Sequence, residues 1–243
     1  MDNYNVWRLI PLLSASGNLQ MGIDKWLLKK HEMGEHPPTL RFYTWSPSAI
    51  SLGYHQKQYP QFWDDLTWQG DKIDLVRRPS GGRAVLHQGD LCYAVIASRM
   101  GKSRMEAYTH ICEFLITGWR SLGFELHYGE AGRGYIHHPN CFTTATNADL
   151  ILPQGHKLIG SAQLRRGKAV LQHGSIILQP NRELYQQVFG FDRFIDNSIH
   201  INLDQDMIID ALIKAACDCF NIQLEVKPLT VSEWEEISLL IDN

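Results

Sequence analysis

The sequence predicts an α+β, or mixed α/β, fold with a largely antiparallel or mixed β-sheet core flanked by helices. Three observations lead there. Short runs rich in β-branched and aromatic residues, each bounded by turn chemistry, recur between Leu40 and Leu178. Segments of helical period flank those runs, and an amphipathic helix needs a flat apolar partner. No repeat, low-complexity tract or Ser/Gly/Pro linker divides the 243 residues, so residues 1–243 are expected to form a single domain.

The elements follow in order. Leu19, Ile23, Trp26 and Leu27 recur at helical spacing, and the polar stretch to Pro38 ends that helix. Strands are predicted at Leu40 to Trp45, Ala49 to Leu52, Ile73 to Arg77, Ala84 to His87 and Leu91 to Ala97. Ser103 and Glu106 have capping-box spacing ahead of the apolar face Ala107, Ile111, Phe114, Leu115 and Leu122. A meander then runs through Asp149 to Leu152, Lys157 to Leu164 and Ala169 to Leu178. Its turns, Pro153-Gln154-Gly155 and Arg166-Gly167, are short enough to make neighbouring strands antiparallel. Helices are expected near Asn181 to Phe189, Asp206 to Phe220 and Thr230 to Leu240, the last with Thr230 and Glu233 at capping-box spacing.

Composition removes several function classes. A net charge of −3 gives no general affinity for nucleic acid or anionic membranes, so any basic site is local. No secretory leader pattern and no bilayer-length apolar run is present, which points to a cytoplasmic protein that engages no membrane. The five cysteines, Cys92, Cys112, Cys141, Cys217 and Cys219, are odd in number and irregularly spaced; this argues against a disulfide framework and leaves room for a reactive thiol. Cysteine is by default a small buried apolar residue, the role assigned to all but Cys141. His137, His138 and Cys141 lack a second ligand pair at metal-site spacing, so no metal is expected.

The segment RRPSGGRAVLHQGDLCYAVIAS, from Arg77 to Ser98, is built to approach a ligand. Gly81 and Gly82 let the backbone come close to a bound group, while Arg77, Arg78 and Arg83 place positive charge beside that opening. Together with SLGYHQ (Ser51 to Gln56), CFTTATNADL (Cys141 to Leu150) and HKLIGSAQLRRGKAVLQHGSIIL (His156 to Leu178), it resembles the lipoate-protein ligase and octanoyltransferase family, within the wider biotin and lipoate ligase superfamily. The resemblance implies a biotin/lipoate-ligase-like catalytic domain.

Members of that family activate the acyl group in two ways. Ligases make an acyl-adenylate with ATP, whereas transferases form a thioester on an enzyme cysteine. Cys141-Phe142 matches the cysteine of one octanoyltransferase branch; the other branch has its cysteine just before the His-Gly of the last strand, where this chain has Val170-Leu171-Gln172 ahead of His173-Gly174. Arg83 stands where typical ligases have a third glycine. The resemblance therefore implies an octanoyltransferase that takes octanoyl from acyl carrier protein and passes it to the lysine of a lipoyl-carrying protein, such as the glycine-cleavage H protein or a dehydrogenase acyltransferase subunit. No cofactor is required on this reading, and ATP with Mg belongs only to the competing ligase reading. Two further readings stay open: an amidotransferase that moves octanoyl between lipoyl domains, and a non-catalytic binding module that keeps the fold.

By the same resemblance Cys141 is the nucleophile and Lys157 acts on the acyl carbonyl. Substrate contacts are expected from Arg77, Arg78, Ser80, Gly81, Gly82 and His87 on the first motif, and from Gly160, Ser161, Ala162, His173 and Gly174 on the last. Arg77 and Arg78 suit an acidic carrier surface and its phosphopantetheine phosphate. Trp45, Leu52, Tyr54 and Phe142 are candidates to line an acyl tunnel. The base that deprotonates the acceptor lysine stays open among His137, His138 and His173.

Overall fold

The computed structural model describes residues 6–129, 149–190 and 201–241. In chain order the elements are β1 (Val6–Ala15), α1 (Gly17–Glu32), β2 (Thr39–Trp45), β3 (Ala49–Leu52), a 3-10 turn at Gln61–Asp65, β4 (Thr67–Trp68), β5 (Asp71–Lys72), β6 (Asp74–Arg77), β7 (Val85–His87) and β8 (Asp90–Ser98). They continue through α2 (Arg104–Ser121), β9 (His127–Tyr128), β10 (Asp149–Ile151), β11 (Lys157–Arg166), β12 (Ala169–Ile177), α3 (Arg182–Phe189), α4 (Gln205–Phe220), β13 (Gln223–Val226) and α5 (Val231–Ile241).

Among the described residues, eight strands form the main sheet in the order β13-β1-β2-β8-β12-β11-β10-β9. The β13–β1 and β1–β2 pairs are parallel and the rest antiparallel, so the sheet is mixed as expected. Strands β6, β3 and β7 form a separate three-stranded sheet, and β4 pairs with β5. The strand pattern of the sequence carries no information on that division, because both sheets use the same period-2 alternation.

Period-2 alternation explains why both faces of the main sheet are covered. Along β8, Leu91, Tyr93, Val95 and Ala97 join the core under α2 and α4. Cys92, Ala94 and Ile96 join a second core under α1 and α5. A strand apolar on both faces reads as one unbroken run, as the sequence of β8 does. The small sheet alternates too: Ile50, Leu52 and Leu86 enter a third cluster with Trp63 and α3. Ser51, Val85 and His87 turn the other way, towards the main sheet, and border a cleft.

Capping chemistry fixes the helix starts. Ser103 Oγ accepts from the backbone N–H of Glu106 at 3.1 Å, while the Glu106 carboxylate accepts from Lys102 N at 2.9 Å. Thr230 and Glu233 complete a reciprocal box, with Thr230 N donating to Glu233 at 2.8 Å and Glu233 N to Thr230 Oγ1 at 3.3 Å. Glu233 also accepts two guanidinium bonds from buried Arg8, at 2.7 and 2.8 Å, tying α5 to β1. Burial opposes ionisation of Glu233, but the bonds from Arg8 and Thr230 outweigh it and hold its pKa below 4.5.

A depressed carboxylate contributes stability that is present above the unfolded pKa and lost as pH falls through the folded one. Glu233→Gln is therefore expected to lower the urea midpoint at pH 7, with the gap to wild type narrowing as pH drops below about 4.5. Parallel acid titrations of the two midpoints check this; a constant gap contradicts it.

Candidate active site

A cleft of about 640 Å³, including its open mouth, lies between the α1 face of the main sheet and the small sheet. Of the residues expected to meet substrate, Arg78, Gly82, His87, Gly160, Ser161, Ala162, His173 and Gly174 line it. Arg77, Ser80, Gly81 and Lys157 do not. Arg77 is exposed and donates to the carbonyls of Gly53 and Gln56 at 2.8 and 2.7 Å, so it buttresses the loop beside the cleft. Arg78 is 5 % exposed and turns inward, donating to the carbonyls of Ser51, Gly81 and Arg83 at 2.8, 2.9 and 2.7 Å. Backbone carbonyls thus orient both guanidinium groups, Arg77 towards solvent and Arg78 towards the cleft.

Arg78 organises the glycine turn. Gly82 has φ +100°, and a Cβ there would lie 2.6 Å from Arg78 Nη2. A Cβ on Gly53 would lie 1.8 Å from the Gly82 carbonyl oxygen, so the two loops fit together only without side chains. Trp45 lines the cleft as expected, whereas Leu52 enters the third core and Tyr54 is 59 % exposed. Cys141, Phe142, His137 and His138 lie outside the described residues.

Lys157 opens β11, and its ammonium forms a 2.8 Å ion pair with Asp149 at the start of β10; both side chains are about 5 % exposed or less. The turn predicted between them forms, with Gly155 at φ +88° and its N–H on the Leu152 carbonyl at 2.8 Å. Asp149 lines the cleft, so the pair brings a buried cation to its margin.

Two serine–histidine–aspartate chains border the same space. His87 Nδ1 lies 2.8 Å from Asp90 Oδ2 and its Nε2 lies 2.8 Å from Ser51 Oγ. His173 Nδ1 lies 2.7 Å from Asp24 Oδ2 and its Nε2 lies 2.5 Å from Ser80 Oγ. Because a carboxylate only accepts, Nδ1 of each ring carries a proton, and in a neutral ring Nε2 accepts from the serine O–H. Burial lowers the pKa of His87 despite the pull of Asp90, so this imidazole is neutral near pH 7. His87, Asp90 and Cys92 hold three ligand-type atoms within 4.8 Å of one another. Hydrogen bonding accounts for that closeness, since Asp90 Oδ2 accepts from His87 and from the Cys92 thiol at 3.2 Å.

The aspartates and Ser51 escaped sequence reasoning. Asp24 lies one helical turn from Gln20 on the buried face of α1, a polar pair within an apolar stripe that was a usable signal. Ser51 alternates with Ile50 and Leu52, which marks it as facing away from their core. Nothing local marked Asp90 or Asp149.

The model of the lipoyl protein ligase A/B catalytic domain matches residues 16–212, most of the chain. The chain belongs to this family. Relatives in the family named octanoyltransferase LipM are 32% identical in Lysinibacillus sphaericus, covering 93% of this chain and 91% of that protein, and 33% identical in Kyrpidia tusciae, covering 97% and 94%. The lipoyl protein ligase fold is evident in three dimensions as well. A T. acidophilum protein solved with bound lipoic acid superposes with a TM-score of 0.78 at 22% identity, covering 97% of this chain and 94% of that one. A lipoate-protein ligase A solved with ATP bound gives the same figures.

Proposed function

We propose that the protein is an octanoyltransferase acting through a cysteine thioester. The observation that carries this reading is the similarity, over nearly the whole chain, to relatives named octanoyltransferases. The donor is octanoyl thioester on the phosphopantetheine arm of acyl carrier protein, and the acceptor is a lysine of a lipoyl-carrying domain. The Cys141 thiolate attacks the thioester carbonyl, releasing the carrier thiol and leaving octanoyl on the enzyme. Exchange of one thioester for another is nearly balanced, and formation of the amide supplies the direction.

A free cysteine with a pKa of about 8.5 is mostly protonated at neutral pH, so a neighbouring cation aids attack. Lys157 fills that role and then faces the developing oxyanion. Asp149 holds the ammonium by a 2.8 Å bond. In sequence Cys141 stands eight residues before Asp149, which lines the cleft. The two buried cysteines, Cys92 and Cys112, suit nucleophilic attack poorly. Burial and then Asp90 push the Cys92 thiol well above its ordinary pKa, and burial pushes Cys112 up to about 12.

No cofactor is needed on this reading. An apo lipoyl domain incubated with enzyme and octanoyl-carrier protein, without ATP, is expected to gain the mass of one octanoyl group. Modification only with free lipoate or octanoate plus ATP and Mg supports an acyl-adenylate ligase instead, and transfer only from an octanoylated lipoyl domain supports the amidotransferase.

A further inference from the structure

Amide formation raises a proton problem that Lys157 and Cys141 do not solve. When a neutral lysine amine attacks a thioester, its nitrogen becomes cationic and must lose a proton before the thiolate departs cleanly. Of the two serine–histidine–aspartate chains at the cleft among the described residues, only one has its serine in the lining: Ser51 lines the cleft and Ser80 does not. We infer that Ser51, His87 and Asp90 form a proton relay for the second half of the reaction, which rests on the octanoyltransferase reading above.

The geometry suits a relay. Ser51 Oγ, His87 and Asp90 are linked by two 2.8 Å hydrogen bonds. The Trp45 ring stacks on His87 with centroids 4.0 Å apart and planes 14° apart, which fixes the imidazole plane. The Ser175 hydroxyl donates to Asp90 Oδ2 at 2.6 Å and the Cys92 thiol at 3.2 Å, which fixes the carboxylate. Arg78 Nη1 donates to Ser51 Oγ at 3.2 Å, leaving the serine proton directed at His87 Nε2.

The step balances. The lysine nitrogen forms a C–N bond to the octanoyl carbonyl and the C–S bond to Cys141 breaks, its electron pair staying on sulfur. The nitrogen gives one proton to Ser51 Oγ while Ser51 passes its own to His87 Nε2. The imidazolium donates to Asp90, and its proton then returns the thiolate to the thiol.

Single-turnover deacylation of isolated octanoyl-enzyme tests this, with two nucleophiles compared on the same preparation. Hydroxylamine is a weakly basic nucleophile that sheds its proton readily, whereas the lysine of a lipoyl domain needs a base. In His87→Gln, whose amide fills the same place, the ratio of lysine transfer to hydroxylamine release is expected to fall at least about a hundredfold, the lower end of the range of general-base effects. Ser51→Ala, the smaller change, is expected to lower the same ratio and guards against misfolding of the first variant. Equal slowing with both nucleophiles overturns the relay and leaves His87 a packing residue. If wild type forms no octanoyl-enzyme, the parent reading fails and the relay with it.

Discussion

Replacing Cys141 with serine is expected to abolish the octanoyl-enzyme and to lower octanoylation of a lipoyl domain at least about a thousandfold, equivalent to about 4 kcal/mol of barrier. The reason is chemical more than steric. A serine hydroxyl stays protonated where a cation-assisted thiol ionises, and an oxygen ester gives the acceptor amine a less reactive carbonyl than a thioester does. The variant should keep the wild-type melting temperature, since the change removes no buried methylene. Steady-state transfer from octanoyl-carrier protein, measured beside a thermal melt, reads both quantities. Transfer at the wild-type rate removes Cys141 from the mechanism.

The second large effect belongs to Lys157. Lys157→Ala is expected to slow enzyme acylation by roughly 10²–10³, the range seen when a group that stabilises a developing oxyanion is removed. It also breaks the buried ion pair with Asp149, and breaking such a pair from one side costs about 3–5 kcal/mol of stability. The two consequences are separable. Lys157→Met combined with Asp149→Asn removes both charges and should recover most of the stability, because neutral replacements of a buried pair are often tolerated. It should recover none of the acylation rate. If the double variant regains the rate, the ammonium serves the fold alone.

Much of this architecture was legible in the sequence because local chemistry and tertiary structure agree. The capping residues Ser103 and Thr230 mark helix starts that carry the expected side-chain bonds. The glycine turns of the meander produce the antiparallel β10-β11-β12 ladder. β1 was missed for a physical reason: Pro11 interrupts its pattern, and the pairing with β2 shifts register between Ile10 and Leu13. β13 is a four-residue edge strand and β9 has two residues, too short for a period to show.

The site divides along the same line. Glycines and motif residues that meet the cleft could be named because the family pattern carries them in order. Asp24, Asp90 and Asp149 could not, since each acquires its role from a partner on another element: Asp24 on α1 meets His173 on β12, and Asp149 on β10 meets Lys157 on β11. Arg77 and Arg78, adjacent in sequence and alike in charge, part in the fold: Arg77, the last residue of β6, is exposed, and Arg78 just beyond it turns inward and lines the cleft.

A covalent octanoyl thioester on Cys141 is tested most directly by the intact mass of the enzyme. After incubation with octanoyl-carrier protein in the absence of ATP, wild type should carry the mass of one octanoyl group, which neutral hydroxylamine removes and which Cys141→Ser never acquires. An enzyme that stays unmodified while transferring octanoyl to a lipoyl domain, or an adduct that persists in Cys141→Ser, contradicts the account.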